Sequence, residues 1–275
     1  MCRTTVADTL KAMAPERVKR LCVHIRNVYR GKRYYCPVCS KRLWRFDPMP
    51  MWYLETLDKY GFIHSIFALE TLNLFACNCP SCGTSDRDRL YILYLKQQFS
   101  RIDVSRRYTF IDFAPTPALS KMIRSYHFLN YRSADLLGDN ADDKVDIMDM
   151  PIYRDNSVDM FLCSHVLEHV EDDKKAMAEL YRILRPGGWG ITMVPIVLTL
   201  SNVYEDTSIN SEAERWKHFG EGSHFRIYSK QGFVGRLEQA GFKVKQFGIN
   251  YFGADVFEKH GIHPRSVLYV VEKAE

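Results

Sequence analysis

The feature that most constrains this chain is an alternation of short apolar runs with helical stretches that begins at Tyr108. Runs rich in β-branched and aromatic residues predict strands at 108–113, 129–134, 145–147, 158–163, 189–194, 242–248 and 266–271. The spacing of apolar residues predicts helices at 116–125, 172–184 and 229–240. Strands that alternate with helices form a largely parallel sheet. The pattern therefore predicts an α/β fold with seven strands and helices on both faces.

Acidic and small polar residues stand where several of these strands end. In an open sheet of this kind, ligands bind beyond the carboxyl ends of the strands. Asp135 ends the second strand, where a carboxylate can accept both hydroxyl protons of a ribose, and Asp146 can accept from an amine such as adenine N6. Each carboxylate taken alone could be an ordinary loop residue. Their recurrence at successive strand ends favours a nucleoside site.

Four of the eight cysteines form two close pairs, Cys36-Pro-Val-Cys39 and Cys79-Pro-Ser-Cys82. A two-residue gap lets one tight turn direct both sulfurs at a common point, and two such turns complete a tetrahedral thiolate shell for zinc. Because four thiolates leave no open coordination position, this metal is predicted to be structural. The insert between the pairs is rich in aromatic residues, so we expect it to be folded.

Other uses of these cysteines are less well supported by the sequence. Disulfides are disfavoured in a reducing compartment. A thioredoxin-like redox motif needs one such pair beside the first strand of its fold, not two pairs around an aromatic insert. Cys77 competes with Cys79 as a ligand, but the proline-containing two-residue spacing favours Cys79.

The first part of the chain is strongly basic. Residues 1–47 contain 12 of the 38 Lys and Arg residues but three of the 33 acidic ones, and Pro15 to Arg30 has the apolar spacing of an amphipathic helix. The charge predicts either a polyanionic partner (RNA, an anionic glycan or a membrane surface) or only a solvated helix face. Because the chain shows neither an apolar run long enough to span a membrane nor a secretory signal before Pro15, we expect a cytoplasmic protein.

Several motifs resemble the series found in class I S-adenosylmethionine-dependent methyltransferases. Residues 111–116 take the place of the first motif, 145–159 resemble the adenine-side segment, Ser164-His165-Val-Leu-Glu168-His169 resembles the segment after the fourth strand, and 184–188 match the turn before the fifth. The resemblance covers about residues 106–248. More narrowly, the chain resembles bacterial zinc-ribbon-headed methyltransferases whose head ends in Cys-Pro-x-Cys-Gly and an Arg-rich helix start, here 86–90. The acceptors of that group are not well defined.

The resemblance implies a Rossmann-like seven-stranded methyltransferase sheet with an N-terminal four-cysteine zinc module. The expected parts are a basic amphipathic helix (1–34), a zinc-binding module with aromatic insert and linker helix (35–100) and the methyltransferase domain (101–275). The implied cofactors are S-adenosylmethionine and structural zinc. The predicted cofactor-binding residues are Asp112, Phe113, Ala114, Pro115, Thr116, Asp135, Leu136, Asp146, Ile147, Cys163, Ser164 and His169. The predicted metal ligands are Cys36, Cys39, Cys79 and Cys82.

One departure from the family pattern concerns the loop after Asp112. The expected glycine-rich turn is replaced by Ala114-Pro115-Thr116-Pro117. Glycine normally lets the backbone approach the methionine part of the cofactor. The zinc-headed group shares a Phe-Ala-Pro loop, which argues against an inactive enzyme, but a weak or absent cofactor site stays open as an alternative.

Transfer of a methyl group to a hydroxyl requires a base that removes the proton. The long segment 204–228 is rich in aromatic and titratable residues, and we predict His224 as the base and Arg226 as an anchor for an anionic acceptor. His165 and Glu168 are further catalytic candidates. If extended, His224, Arg226 and Tyr228 share one face. Alternatively, His224 caps a turn and Arg226 pairs with a local carboxylate.

Three functions are consistent with these patterns. The first, which we favour, is O-methylation of a small-molecule or sugar acceptor, glycans included. The second is methylation of ribosomal or transfer RNA, with the basic zinc head binding phosphate. The third is a catalytically inactive methyltransferase-like binding protein, which the strand-end carboxylates argue against. The sequence does not indicate an oligomeric state.

Overall fold

The computed structural model describes residues 33–138 and 140–275, so the predicted helix at Pro15–Arg30 lies outside the described residues. The strands are β1 (Tyr34–Tyr35), β2 (Arg42–Leu43), β3 (Tyr108–Phe113), β4 (Leu129–Asp135), β5 (Asp143–Lys144), β6 (Val158–Ser164), β7 (Leu184–Met193), β8 (Tyr204–Glu205), β9 (Arg226–Ile227), β10 (Lys243–Phe247) and β11 (Leu268–Glu272). The α-helices are α1 (Met51–Tyr60), α2 (Asp86–Phe99), α3 (Pro117–Arg124), α4 (Asp173–Ile183), α5 (Glu212–Phe219), α6 (Lys230–Gln239), α7 (Ile249–Phe252) and α8 (Ala254–Lys259).

Seven strands form one sheet in the order β10-β11-β7-β6-β3-β4-β5. The five strands from β7 to β5 are parallel, whereas β11 runs antiparallel to both of its neighbours. Phe113 of β3 is in register with Ala134 of β4 and with Cys163 of β6, so these three strands end at one edge of the sheet. The predicted α/β fold with a seven-stranded sheet is confirmed.

The central strands are buried on both faces, which explains their nearly continuous apolar sequences. In β6, Val158, Met160, Phe161, Leu162 and Cys163 are all buried. A side chain at Gly190 of β7 would place its Cβ 2.4 Å from the Phe161 ring, so only glycine fits there. Close packing of β6 against β7 therefore depends on this glycine.

Two strands differ most from the sequence prediction, and the others differ by no more than two residues at either end. The third strand was expected at 145–147 but is the dipeptide Asp143–Lys144, because Asp146 and Asp149 pair with each other in a turn. The fifth strand begins at Leu184 rather than at residue 189, and its pairing with β6 contains a register shift near Val158. The turn residues at 186–188 therefore extend the strand instead of preceding it.

The four-cysteine module packs directly against the sheet domain through α2. This helix begins with a capping box in which Ser85 and Asp88 exchange side-chain to backbone hydrogen bonds. Leu90, Tyr91 and Leu95 of α2 are buried in the same apolar cluster that contains β3, β6 and β7. The expected linker helix is thus a core element that joins the two parts.

Arg89 of α2 connects the module to the C-terminal segment. It is fully buried, and its guanidinium donates to the carbonyls of Ala76, Cys77, Thr84, His260 and Gly261. Its guanidinium carbon lies 3.8 Å from the centre of the Phe46 ring. A buried charge needs such complete pairing to be tolerated.

No helix in the described part of the chain has the length and hydropathy that a membrane crossing requires.

Candidate active site

The carboxyl edge of the sheet carries a cavity of about 490 Å³. Its walls come from two sources, the ends of β3 and β6 and the four-cysteine module with the start of α2. The sheet side contributes Asp112, Phe113, Ala114, Thr116, Pro117, Ala118, Leu119, Leu162, Ser164 and His165, and the module side contributes Cys82, Gly83, Thr84, Ser85, Arg87, Asp88 and Tyr91. We call this space the first cavity. The second half of the cysteine motif thus forms part of a ligand-sized site.

The loop after β3 makes a tight turn without glycine. Ala114 has a φ of 50°, in the left-handed region that glycine usually occupies, and its amide donates to the carbonyl of Ala134. A non-glycine residue in this region carries backbone strain. Ala114 therefore adopts the conformation that the glycine of the family pattern would supply, and it lines the first cavity.

Asp112 is a buried carboxyl group facing the first cavity. It is 1% exposed, and its Oδ2 accepts a hydrogen bond of 2.7 Å from the hydroxyl of Tyr131. Burial raises the pKa of Asp112 to about 7, although the hydrogen bond from Tyr131 acts in the opposite direction. This carboxyl can change its charge near neutral pH. Such perturbed groups in cavities are common at functional sites.

Only some of the other predicted cofactor-binding residues line this cavity. Asp135 Oδ1 accepts from the amides of Leu137 and Gly138, and Asp146 Oδ1 accepts from the amide of Met148. Both carboxylates thus close local turns. Of the predicted set, Asp112, Phe113, Ala114, Thr116 and Ser164 line the first cavity, whereas Pro115, Asp135, Leu136, Asp146, Ile147 and Cys163 do not.

A second cavity of about 390 Å³ adjoins the first and shares Ser85, Arg87 and His165 with it. It lies between the aromatic insert and the segment that follows β7. Tyr53 of α1 donates to the carbonyl of Gly220 at 3.1 Å and holds these two regions together. The remaining lining residues are Met49, Pro50, Trp52, Phe62, Leu69, Thr71, Leu72, Cys77, Asn78, Asp86, His169, Val194, Pro195, Ile196, Phe219, Glu221, His224 and Ile227.

His165 and Arg87 form part of the wall between the cavities. Arg87 Nη1 lies 2.6 Å from Nε2 of His165, which therefore accepts, so the ring proton is on Nδ1, facing Glu168. Burial lowers the pKa of His165 to about 4, and the neighbouring Arg87 acts in the same direction. The imidazole is therefore neutral near pH 7. His165 also has a φ of 57°, so the turn after β6 is strained.

Three predicted residues, Glu168, His169 and His224, meet beside the second cavity. Each offers one potential ligand atom, and these atoms lie within 4.8 Å of one another. Burial lowers the pKa of His224 below its ordinary value, and its Nδ1 lies 3.2 Å from the carbonyl of Phe219, which leaves Nε2 free. His169, expected at the cofactor, faces the second cavity instead.

Glu168 is the fully buried member of this cluster. Its Oε1 lies 2.9 Å from Nδ1 of His165, but out of line for a hydrogen bond, so neither carboxylate oxygen has a well-directed donor among the described residues. Burial alone would raise the pKa of Glu168, but His165 and His224 hold it at about 2. Glu168 is therefore charged at neutral pH.

Arg226, predicted to anchor an acceptor, is held by several contacts within the protein. Its guanidinium donates to the carbonyls of Leu167, Val170 and Glu171 and to the carboxylate of Glu205, and it does not line the second cavity. The predicted shared face fails because β9 comprises Arg226–Ile227 alone, so His224 lies before the strand. Arg226 pairs with a local carboxylate, that of Glu205, which was the alternative considered from the sequence.

The cysteine pairs converge as the sequence predicted. Cys36 Sγ lies 3.8 Å from Cys82 Sγ, Cys39 Sγ lies 3.9 Å from Cys79 Sγ, and all four sulfurs are within 4.8 Å of one another. Four thiolates about 2.3 Å from a zinc ion stand about 3.8 Å apart in a tetrahedron. The cluster is therefore compatible with a zinc module. Cys77 lies outside the cluster.

Sequence reasoning missed several residues of these cavities. The sequence placed Arg87 only in an Arg-rich helix start. It gave no indication of Tyr91, whose hydroxyl lies 2.7 Å from Ser164 Oγ. Glu221 was also missed, although its Oε2 lies 3.9 Å from His169 Nδ1 and from His224 Nε2. The signal that could have found Arg87 is a charged residue directly beside an apolar helix face after a cysteine knuckle.

Comparisons with known proteins match part of this chain to methyltransferases. A family model described as a methyltransferase domain matches residues 122–192. A protein of Mycolicibacterium smegmatis described as a probable S-adenosylmethionine-dependent methyltransferase is 30% identical over 114 residues, which is 42% of this chain and 40% of that protein. The ubiquinone/menaquinone biosynthesis C-methyltransferase UbiE of Haemophilus ducreyi is 29% identical over 114 residues, 36% of this chain and 42% of that protein.

The chain thus spans about two fifths of the length of these curated relatives. A solved S-adenosylmethionine-dependent methyltransferase from Archaeoglobus fulgidus aligns with 69% of this chain and 95% of its own at 12% identity, with a TM-score of 0.44. The fold is defined by the strand order itself, in which six strands run in one direction and β11, next to the edge strand β10, is reversed. These features define the class I methyltransferase fold. The chain therefore has a Rossmann-like methyltransferase fold, and its residues 122–192 match a methyltransferase domain.

Proposed function

We propose that this protein transfers a methyl group from S-adenosylmethionine in the first cavity to a hydroxyl of a small-molecule or glycan acceptor in the second. The observation that carries this proposal is the shared wall of the two cavities, formed by Ser85, Arg87 and His165. Methyl transfer requires the donor carbon and the acceptor atom in line and almost in contact. Two adjoining cavities at the carboxyl edge of the sheet support that geometry.

At the donor end, the charges along the first cavity suit a zwitterionic amino acid. The Asp112 carboxylate faces the cavity and can pair with an ammonium group, and Arg87 can pair with a carboxylate. We assign Asp135 and Asp146 to the ribose and the adenine from their strand-end positions, although neither lines the first cavity itself. When bound, the sulfonium donor supplies an electrophilic methyl group, so the chain's own residues only need to position it and exclude water.

At the acceptor end, the second cavity has the size and aromatic lining of a small-molecule site. We assign His224 as the proton acceptor, because its Nε2 is free and its imidazole is neutral near pH 7. The acceptor hydroxyl gives its proton to Nε2, its oxygen bonds to the methyl carbon, and the electrons of the broken carbon–sulfur bond stay on sulfur. The products are the methyl ether and S-adenosylhomocysteine.

We further propose that Cys36, Cys39, Cys79 and Cys82 bind one structural zinc ion. The sulfur spacing supports this assignment, and the donor set leaves no open position for chemistry. Because residues 82–85 line the first cavity, the ion also fixes one wall of the donor site. The module is thus part of the enzyme's binding machinery in this proposal.

Calorimetry with S-adenosylhomocysteine and transfer assays with labelled S-adenosylmethionine against a panel of hydroxylated acceptors test this proposal. We expect His224→Gln to lower kcat strongly while leaving the affinity for S-adenosylhomocysteine unchanged. The matched control is His127→Gln, which changes an exposed histidine far from both cavities. A wild-type protein that binds neither the donor nor its product would overturn the enzyme assignment in favour of a non-catalytic role.

RNA methylation is a second candidate, favoured by one observation. The first 47 residues contain 12 basic and three acidic side chains, a charge that suits a phosphate backbone. RNA binding through this head would weaken steeply with salt, and its removal would abolish that binding. Methyl incorporation into RNA by the wild-type protein, and none into small hydroxylated acceptors, would favour this candidate.

A further inference from the structure

Beside the second cavity, two imidazoles and a carboxylate converge in a way that hydroxyl deprotonation alone does not require. Glu168, His169 and His224 each present one potential ligand atom, all within 4.8 Å of one another. The cluster is separate from the four cysteines. Its donors are nitrogen and oxygen rather than sulfur, so it suits a different class of ion.

A second, independent observation comes from the burial of Glu168. This side chain is fully buried, and neither of its carboxylate oxygens has a well-directed hydrogen-bond donor within the described ranges. An uncompensated buried carboxylate is costly, and native proteins usually pair such a group or use it to ligate a metal. The side chains that lie next to it are His165, whose Nδ1 is 2.9 Å from Oε1 but out of line for a hydrogen bond, and the two potential ligands His169 and His224.

The orientation of the two imidazoles fits metal ligation. His224 Nδ1 donates to the carbonyl of Phe219 at 3.2 Å, and His169 Nδ1 donates to Ser223 Oγ at 2.7 Å. Ser223 in turn donates to the carboxylate of Glu221. In metal sites a ligating histidine usually donates its other ring N–H to a carbonyl or to a polar side chain. Both Nε2 atoms therefore keep a lone pair that can bind an ion.

We propose that Glu168, His169 and His224 bind a divalent transition-metal ion such as Mn²⁺ beside the second cavity. Two imidazoles and one carboxylate occupy one side of an ion and leave positions open. Those positions face the cavity, because His169 and His224 both line it whereas Glu168 lies behind them. His169 is partly exposed and gives the ion a path of entry.

The role of this ion rests on the proposed function, although its binding does not. A bound divalent ion lowers the pKa of a hydroxyl that coordinates it. In the metal-bound enzyme, His224 is a ligand, and the proton of the acceptor hydroxyl passes to Glu221, whose Oε2 lies 3.9 Å from both rings. The preferred acceptor then carries two neighbouring oxygens, such as a vicinal diol, which chelate the ion.

Titration of the zinc-loaded full chain with Mn²⁺, followed by the electron paramagnetic resonance signal of free Mn²⁺, tests the site directly. Mn²⁺ prefers nitrogen and oxygen ligands, so the cysteine cluster does not compete for it. We expect one Mn²⁺ per chain in the wild type and in the control His127→Gln, and at least tenfold weaker binding in His224→Gln and in His169→Gln. Equal Mn²⁺ binding by these two variants and the wild type, or no binding at all, would overturn the site.

Calorimetry with S-adenosylhomocysteine on the same samples checks that each variant is folded. Together with Mn²⁺ titration and transfer assays, it separates the metal-site proposal from the O-methylation proposal. Mn²⁺ binding that depends on His224, without transfer to any hydroxylated acceptor, would retain the metal site and remove O-methylation. Methyl transfer that persists in the presence of a chelator, by a protein that binds no Mn²⁺, would remove the metal site and retain O-methylation.

Discussion

Arg87 donates to Nε2 of His165 at 2.6 Å, and this pair joins the four-cysteine-module side of the site to the sheet side. The contact spans 78 residues of sequence and stands at the point where both cavities meet. Under the proposed function the donor occupies the first cavity, and Arg87 is the cation lining it that can pair with the carboxylate of the donor.

We therefore expect Arg87→Ala to weaken S-adenosylhomocysteine binding by about 1 to 3 kcal/mol, the usual effect of losing a charge-assisted hydrogen bond. Isothermal titration calorimetry measures this directly. Arg45→Ala is the matched control, because Arg45 is an exposed arginine of the same module that lines neither cavity. Equal affinity in both variants would place the donor carboxylate elsewhere.

Asp112 is expected to show a conflict between stability and binding. Its pKa is about 7 in the folded protein, raised by burial from about 3.8, so the folded state holds this proton more tightly than the unfolded state does. The stability associated with this group is therefore present below about pH 4 and is lost as the pH rises through about 7. Asp112→Asn removes this slope, so the variant should exceed the wild type in stability above pH 7.

Urea denaturation of both proteins at pH 5 and pH 8 checks that slope. The same substitution removes the carboxylate that we assign to the ammonium group of the donor, so calorimetry at pH 8 should show weaker S-adenosylhomocysteine binding. Functional residues often reduce stability in this way. A variant that loses stability at pH 8, or binds as tightly as the wild type, would argue against these roles of Asp112.

The cysteine cluster predicts a link between metal content and donor binding. Elemental analysis should find about one zinc per chain in the wild type, and Cys36→Ser should lose it. Because residues 82–85 line the first cavity, this variant should also bind S-adenosylhomocysteine more weakly. Cys77→Ser is the control, since this buried cysteine lies outside the cluster and should leave the zinc content unchanged.

The core strands could be predicted from the sequence because burial on both faces requires continuous apolar runs. The predicted bounds of β3 were correct, and those of β4 and β6 each ended one residue short of the observed strand. The edge strand β5 was displaced because its residues, Asp143 and Lys144, carry no apolar signal. The two-residue spacing of the cysteine pairs predicted that the four sulfurs converge, because one tight turn directs both sulfurs of a pair at a common point.

The second cavity could not be predicted, because it depends on contacts between distant parts of the chain. Tyr53 and Gly220, which hold its two sides together, are 167 residues apart. Alternation along an extended strand suggested one face for His224 and Arg226, but the strand is too short to impose it. A local sequence pattern cannot show how long a strand is when tertiary contacts determine its bounds.

Arg226 is therefore expected to affect stability rather than acceptor binding. It is 3% exposed and donates to three backbone carbonyls in the turn after β6. Arg226→Ala removes the side-chain donor from the carbonyls of Val170 and Glu171 and leaves the Leu167 carbonyl with the Tyr228 hydroxyl alone, so we expect the free energy of unfolding to fall by about 3 kcal/mol or more. Urea denaturation measures this loss, and Lys174→Ala, at an exposed position of the neighbouring helix, should change it little. A stable variant with a raised KM would restore the anchor role.

Replacing alanine by glycine should have opposite effects on stability at Ala114 and at Ala178. At Ala114, where φ is 50°, glycine relieves the left-handed strain, so Ala114→Gly should stabilise the fold by about 1 kcal/mol. At Ala178, exposed in the middle of α4, the same change should destabilise it by a similar amount, because glycine is a poor helix former. Thermal and urea denaturation of the two variants compare these signs directly.

Donor binding at this turn then tests whether the absence of glycine weakens the site. Because Ala114 already has the glycine-like conformation, Ala114→Gly should keep the affinity for S-adenosylhomocysteine within about threefold of the wild type. Ala114→Val should weaken it, because a β-branched residue is strongly disfavoured at positive φ and its added methyl groups enter the first cavity. Much tighter binding by the glycine variant would mean that the alanine turn itself limits access of the donor to the backbone.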